Sequence, residues 1–422
     1  MKLILVNYRY FISGGPERYL FNLKSLLEEN KHIVIPFSVK HPKNVYSEFS
    51  SFFLSSIASS NSEVYFEDIK KDPLTIIKLF DRTFYSIEAM IKIKNLIRHT
   101  HPDIAYLLHF LRWISPSIVD SFRIFNIPVV ARVSDFSYIC PQGHLLRNGK
   151  ICELCAKGNY WYSVKYRCLQ NSSIISSINF FSTLLHNTMG MFEKIDAIVC
   201  PSRFTLEKLK EGGFPAGKLF HIPTFAKVHD YVPNYNVGDY ILYFGRFSKE
   251  KGADVLIDSF IKLKGKQKFN SLKLVLLGYN FEREFNEVKG RILSEKIKDL
   301  VAIAGVEGEE LKQVIRNSIF TIVPSIWYDN LPNSILESYA SGKPVIASNL
   351  GSFPEIVEQD VTGLLFEPGN SDDLAHKMEY LLDNRDKIME MGKKAREKVE
   401  TEFSPQRHYD SLIKLFKKLK SK

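Results

Sequence analysis

Apolar runs of strand length recur along this chain with helical stretches between them, and they fall into two series. In the first, LILV at 3–6 leads into the glycine turn SGGPER at 13–18 and then YLFNLKSLLEEN at 19–30, whose apolar spacing suits an amphipathic helix. HIVIPFSV, PDIAYLLHF, PVVARVS and DAIVCPS repeat the strand signal downstream. Runs that are apolar throughout, rather than on alternate residues, belong to strands buried on both faces, which means a parallel sheet under helical crossovers. The second series starts after residue 238 with DYILYFGRF, a helical stretch near 253–264, LKLVLLGYN, LVAIAGV, IFTIVPS and KPVIASN. Between the two lies IPTFAKVHDYVPNYNVGD at 222–239, with two prolines and mixed polarity, which reads as a linker. The pattern predicts an α/β chain of two Rossmann-like doubly wound domains, 1–225 and 238–403, facing across a cleft. Residues 404–422 form a capped amphipathic helix that packs back on a domain, the N-terminal one being the candidate.

At 422 residues the chain is too long for a single ordinary core, in keeping with two domains. Hydrophobic content of 45% and charged content of 25% exclude a disordered chain. No run of 18 or more apolar residues offers a membrane span, and MKLILVNYRYF is too short an apolar start for a signal segment, so the expected address is cytoplasmic. A formal charge of +10 favours anionic partners such as nucleotides or phospholipid headgroups. The dense basic run KLFKKLKSK at 414–422 suggests peripheral contact with an anionic membrane face, although lysines at a helix C-terminus are also a favourable dipole arrangement.

Within the second series, DNLPNSILE at 329–337 has two readings. Ser334-Ile335-Leu336-Glu337 matches S-x-x-E, a capping box, with Asp329 as an ordinary turn residue before Pro332. Alternatively Asp329 and Glu337 are two carboxylate acceptors flanking a helix start, suited to sugar hydroxyls beside backbone N–H groups that suit a diphosphate.

YFGRFSKEKG (243–252), IVPSIWYDNLPNSILESYASGKPVIAS (322–348), GSFPEIV (351–357) and VTGLLFEPGNSDDLA (361–375) together resemble the donor-binding half of retaining glycosyltransferases of family 4, with the GT-B fold. SGGPER resembles that family's N-terminal glycine loop, and DAIVCPSRFTLEKLKEGGFPAGKLFHIPT its interdomain approach. The resemblance implies transfer of a sugar from a nucleoside-diphosphate sugar to a glycan or lipid-linked acceptor, as in surface polysaccharide synthesis, with no catalytic metal. It implies an E-x7-E element, here D-x7-E: Asp329 faces the donor sugar, and Glu337 the ribose. Asn330 stands where the family often has glycine, and asparagine tolerates a left-handed backbone; Leu331 completes the donor loop. Arg246 and Lys251, beyond a strand end, form a cationic clamp for the departing diphosphate. Gly14 and Gly15 let backbone amides approach the same phosphates. Asp372-Asp373 belongs to a helix start rather than to a metal-binding D-x-D. Base recognition, UDP or GDP, falls near Gly305 to Glu307.

The acceptor side departs from the family pattern. A histidine common after the strand reading PVVARV is replaced by Ser134-Asp135. Three explanations compete: Asp135 or His109 orients the acceptor; the leaving phosphate itself takes the acceptor proton; or activity is weak or absent. The second is preferred, since same-face transfer sets a phosphate oxygen beside the incoming hydroxyl.

Four of five cysteines, Cys140, Cys152, Cys155 and Cys168, lie in one insert at 138–170 with the spacing C-x11-C-x2-C-x12-C. The short C-x2-C is typical of a metal knuckle, and a structural zinc is expected, with free thiols or an iron–sulfur cluster as alternatives. A related subgroup of the family carries a similar insert. Tyr160, Trp161, Tyr162 and Tyr166 either offer faces to a sugar or lipid or cover the knuckle. Cys200 reads as a buried small hydrophobe. Other functions to weigh are a GT-B disaccharide phosphorylase or nucleotide-sugar epimerase and, in another class, a zinc-stabilised nucleic-acid or partner-binding protein. Dispersed basic residues and an otherwise idle D-x7-E argue against nucleic acid.

Overall fold

The computed structural model describes residues 1–57, 73–236, 238–278 and 282–421. Tyr279 and Asn280 of the predicted strand LKLVLLGYN, Val237 in the predicted linker and Lys422 at the end of the last predicted helix lie outside them.

The first unit runs β1 (Lys2–Asn7), α1 (Gly15–Glu29), β2 (Ile33–Phe37), α2 (Pro73–Phe84), α3 (Ile87–Thr100), β3 (Ile104–His109), α4 (Ser117–Ile124) and β4 (Val129–Arg132). An excursion follows, with the hairpin β5 (Leu146–Arg147) and β6 (Lys150–Ile151) and the helices α5 (Trp161–Lys165) and α6 (Ser173–Thr188). Then β7 (Ala197–Cys200), α7 (Arg203–Glu211) and β8 (Leu219–His221) complete a six-stranded parallel sheet in the order β2-β1-β3-β4-β7-β8.

The second unit runs β9 (Tyr240–Gly245), α8 (Ala253–Lys264), β10 (Lys273–Gly278), α9 (Glu282–Ser294), β11 (Leu300–Ala304), α10 (Gly308–Arg316), β12 (Thr321–Val323) and α11 (Asn333–Ala340). It continues with β13 (Val345–Ser348), α12 (Phe353–Ile356), β14 (Gly363–Phe366), α13 (Ser371–Asp383) and α14 (Arg385–Glu402), giving a parallel sheet in the order β11-β10-β9-β12-β13-β14. Both sheets are covered on two sides, as their uninterrupted apolar strands require. This is the GT-B architecture.

The last helix, α15 (Pro405–Lys420), lies on the first sheet. Leu412, Ile413, Leu415, Phe416 and Leu419 join Tyr106, Leu20 and Leu23 in one core, each large apolar side chain contributing about 1.5–3 kcal/mol. His408 is locked into this seam. Its Nδ1 donates to the Pro223 carbonyl at 2.7 Å and its Nε2 accepts from the Tyr19 hydroxyl at 3.0 Å, and burial pushes its pKa down to about 3, so the ring is neutral. The apolar face of α15 is therefore buried in protein, and only its lysines remain for any membrane contact.

The stretch read as a linker is anchored rather than loose. Phe225, Ala226 and Val228 are buried, and the Ala226 N–H donates to the Phe403 carbonyl at 3.0 Å.

Candidate active site

Open parallel sheets bind ligands outside the carboxyl ends of their strands, where the strand order reverses. That point lies between β1 and β3 in the first sheet and between β9 and β12 in the second. The segments leaving these four strands carry most of the residues singled out from the sequence. Gly14 and Gly15 follow β1, His109 ends β3, Arg246 and Lys251 follow β9, and Asp329, Asn330, Leu331 and Glu337 follow β12. Asp135 follows the neighbouring β4.

The two sets touch across the cleft. At the start of α11, Asn333 Nδ2 donates to the Gly15 carbonyl at 3.3 Å. A Cβ on Gly15 would stand 3.4 Å from that nitrogen, so the glycine loop lies close against the helix end. Arg18, in the first turn of α1, forms an ion pair with Glu337, the two side chains being 20% and 7% exposed. Arg18 stands inside SGGPER, but no spacing rule sets it opposite a residue 319 positions away.

The capping box is not formed. Pro332 fixes the entry to α11, so the helix starts at Asn333 and Ser334 falls inside its first turn. No side chain caps this end, and Glu337 turns to Arg18 instead. Asn330 does not use a left-handed backbone, being absent from the positions of positive φ; its Oδ1 accepts from Thr205 Oγ1 of α7 at 3.4 Å. Leu331 packs against the core under α11. Asp372 and Asp373 occupy the first turn of α13, capped by Asn370.

Asp329 is gripped by Lys251, whose Nζ reaches the two carboxylate oxygens at 2.9 and 2.7 Å, and it accepts from Ser325 Oγ at 3.1 Å. The same ammonium sits 5.3 Å from the Trp327 ring centroid. Arg246 pairs with Glu250 at 3.0 Å. Burial disfavours the Glu250 charge, but Arg246 and the Ser248 hydroxyl outweigh it and hold that carboxyl below its ordinary range. The Trp327 indole N–H is buried without a hydrogen-bond partner among the described residues.

On the acceptor side, His109 Nε2 lies 3.3 Å from Asp135 Oδ2, and the Ser137 N–H donates to Asp135 Oδ1 at 2.8 Å. Burial opposes the Asp135 charge, yet His109, Arg112 and Ser137 hold its carboxyl well below the usual carboxylate range. His109 Nδ1 is buried with no partner among the described residues. Two histidine-bearing segments converge here, because the cysteine insert passes directly over Asp135. Gly143 has φ of 89°, and a Cβ there would come within 2.8 Å of Ser137 Oγ and 3.0 Å of the Arg112 guanidinium. The next residue, His144, packs edge-on to Trp327 of the second domain at 5.0 Å between centroids. Burial lowers the His144 pKa, with Asp135 and Glu250 acting against that. Sequence reading passes over His144, since its only signal is adjacency to a glycine in the insert.

Cys140, Cys152, Cys155 and Cys168 line one small cavity, and none of them is in a disulfide. Burial pushes the Cys155 thiol up to about 12, with the other three adding to the shift. The sulfurs are thus mutual neighbours, although among the described residues no group of three or more potential ligands stands in metal-site geometry. Tyr162 and Tyr166 stack at 6.1 Å and line the same cavity, while Trp161 turns outward onto Phe180 of α6. Two of the four aromatics therefore cover the knuckle. Cys200 is fully buried in the first core.

Residues 232–398 match the model of the family Glycosyl transferases group 1. The matched region contains Arg246, Lys251, Asp329 and Glu337, and ends within α14. The chain is 29% identical to an uncharacterised glycosyltransferase of Methanocaldococcus jannaschii over 157 residues, 36% of this chain and 39% of that one. It is 27% identical to the amylovoran biosynthesis glycosyltransferase AmsK of Erwinia amylovora over 185 residues, 42% of this chain and 44% of the relative. The matches span about half or less of these relatives' lengths. In fold the chain is similar to the sucrose-phosphate synthase of Thermosynechococcus elongatus, with a TM-score of 0.74 at 17% identity over 99% of this chain and 98% of that one. Among the described residues no helix is long and apolar enough to cross a membrane.

Proposed function

We propose that this protein is a retaining glycosyltransferase that moves a sugar from a nucleoside-diphosphate sugar to a glycan or lipid-linked acceptor, in surface polysaccharide synthesis. The observation that carries the reading is the meeting, across one cleft, of the D-x7-E element and Lys251 with the glycine loop of the opposite domain. Each carboxylate of that element is held by a cation, Arg18 on Glu337 and Lys251 on Asp329. Such pairs keep buried charges compensated until a ligand exchanges with them. In the Michaelis complex the ribose hydroxyls take the place of Arg18 on Glu337. The donor sugar hydroxyls share Asp329, and Lys251 turns toward the diphosphate.

As the bond from the anomeric carbon to the diphosphate breaks, negative charge grows on the leaving oxygens. Lys251, Arg246 and the uncapped N–H groups of α11 meet that charge, which is the role a divalent cation plays in other transferases. Same-face transfer places a phosphate oxygen beside the acceptor hydroxyl, and that oxygen receives the proton. The His109–Asp135 pair, with Nε2 at 3.3 Å from Oδ2, orients the acceptor. Asp329 is shorter by one methylene than the family glutamate, so the sugar sits closer to β12 or is held through water.

The four insert cysteines fit a structural zinc by their donor chemistry and shared cavity. Cys140, Cys152, Cys155 and Cys168 would hold it, and it would cross-link the loop that carries Gly143 and His144 over Asp135.

Calorimetric titration of the purified protein with UDP and with GDP tests the reading. Micromolar binding of one nucleotide is expected. Binding of neither overturns the transferase assignment.

A further inference from the structure

A cavity of about 290 Å³ lies in the first domain between α2 and α6, outside the D-x7-E site. Ile76, Leu79 and Phe80 of α2, Ile175 and Ile178 of α6, and Trp113 beyond β3 make it predominantly apolar. The two helices are tied where they diverge from it: Ser182 Oγ donates to the Thr83 carbonyl at 2.6 Å, and His186 Nε2 to the Phe84 carbonyl at 2.7 Å. Burial lowers the His186 pKa, which leaves Arg112 as the one charged side chain among the described residues of the wall.

The wall of the cavity adjoins the acceptor side. Trp113 stacks on Tyr8 at 5.9 Å, and Tyr8 meets His109 edge-on at 4.9 Å. Arg112 and Ser137 line the cavity and also face Asp135, the first through its field and the second through its backbone N–H. Arg112 is held there by the Pro141 carbonyl at 2.7 Å. The same two helices expose large apolar side chains on their outer faces, with Ile77 at 64%, Phe80 at 46%, Ile174 at 75% and Phe181 at 56%. A groove that is apolar along its length, cationic at its inner end and next to the acceptor-orienting pair suits an anionic amphiphile better than a free glycan.

We propose that this cavity holds the hydrocarbon chain of a lipid-phosphate acceptor, with the phosphate on Arg112 and the sugar beyond it facing His109 and Asp135. The acceptor role rests on the transferase reading above; the lipid-phosphate site itself does not. Each methylene withdrawn from water into the cavity tightens binding, which favours long chains.

The test is calorimetric titration of the full chain with dodecyl phosphate below its micelle concentration, against inorganic phosphate and dodecyltrimethylammonium. Saturable binding of dodecyl phosphate at least about tenfold tighter than either control is expected, with Ile178→Phe and Leu79→Phe each weakening it by about tenfold or more and leaving nucleotide binding unchanged. A bromine on the chain quenches Trp113 fluorescence in the wild type, and the quenching disappears in Trp113→Phe. Equal binding of all three probes, or dodecyl phosphate binding indifferent to both Phe variants, overturns the proposal. So does attachment to anionic phospholipid vesicles with Trp113 unquenched, which assigns the apolar faces to a bilayer instead. Nucleotide binding on the same sample separates the outcomes: its loss defeats the transferase reading, and loss of dodecyl phosphate binding alone defeats the acceptor site.

Discussion

Replacing Glu337 by Gln keeps the side chain's shape and removes its charge, and the consequence for donor binding can be worked from the cleft geometry. Glu337 is 7% exposed and faces Arg18 from the other domain. A hydrogen bond to a charged group contributes about 1.5–3 kcal/mol. Two ribose hydroxyls on one carboxylate, set against the loss of the Arg18 partner, leave a net of about 1.5–3 kcal/mol, or roughly ten- to hundredfold in affinity. Arg18→Gln acts in the opposite direction. The ion pair is partly exposed, so its release is discounted from the about 3–5 kcal/mol of a fully buried pair to about 1–2 kcal/mol. Without it Glu337 is available to ribose, and the nucleotide binds about five- to thirtyfold tighter than to wild type. The double variant then resembles Glu337→Gln alone, a coupling that a double-mutant cycle measures directly. The assay is calorimetry with the nucleotide that binds wild type, alongside denaturant midpoints to confirm equal folding. A Glu337→Gln affinity within about twofold of wild type refutes the ribose assignment. Equal losses in both single variants refute the competition, because they place Arg18 on the ligand itself.

Acid should loosen the seam between α15 and the first sheet. His408 is neutral when folded, its pKa pushed down by burial to about 3, so below the ordinary histidine value the unfolded chain takes up a proton that the folded one refuses. Stability from this group is intact above about pH 6.5 and falls by about 1.4 kcal/mol per unit as pH drops toward the folded value; urea unfolding at pH 7.5 and 5.5 should show a smaller pH difference in His408→Gln. Gly143→Ala forces a side chain into a backbone of positive φ at 2.8 Å from Ser137 Oγ, and should lower transfer to acceptor by about tenfold or more while nucleotide affinity stays within about twofold. Protein purified under reducing conditions should carry about one equivalent of zinc, lost in Cys155→Ser; less than about a tenth of an equivalent of zinc or iron removes the metal proposal.

Much of this protein is legible before any coordinates. Fully apolar strand runs alternating with helical periods leave a parallel, doubly covered sheet as the solution, and two such series with a break at 222–239 give two of them. The spacing from Asp329 to Glu337 and the position of Arg246 and Lys251 beyond a strand end are equally readable, because strand ends are where such sheets expose ligand-binding loops. Local sequence could not decide between a capping box and a ligand carboxylate for Glu337. That depended on where Pro332 started the helix and on what stood opposite, and the answer was Arg18 on another domain. Asn330, read as a residue for left-handed backbone, serves a hydrogen bond to α7 instead, since φ is set by the loop's path and not by tolerance alone. His144 and the cavity behind Trp113 carry no motif at all. They are products of chain segments brought together from distant positions, and a site assembled across two sheets has no local pattern from which it can be read. The sequence determined the sheets and which loops end at their functional edges; tertiary packing decided which side chains face one another there, because only folding sets the distances over which charge and hydrogen bonding act.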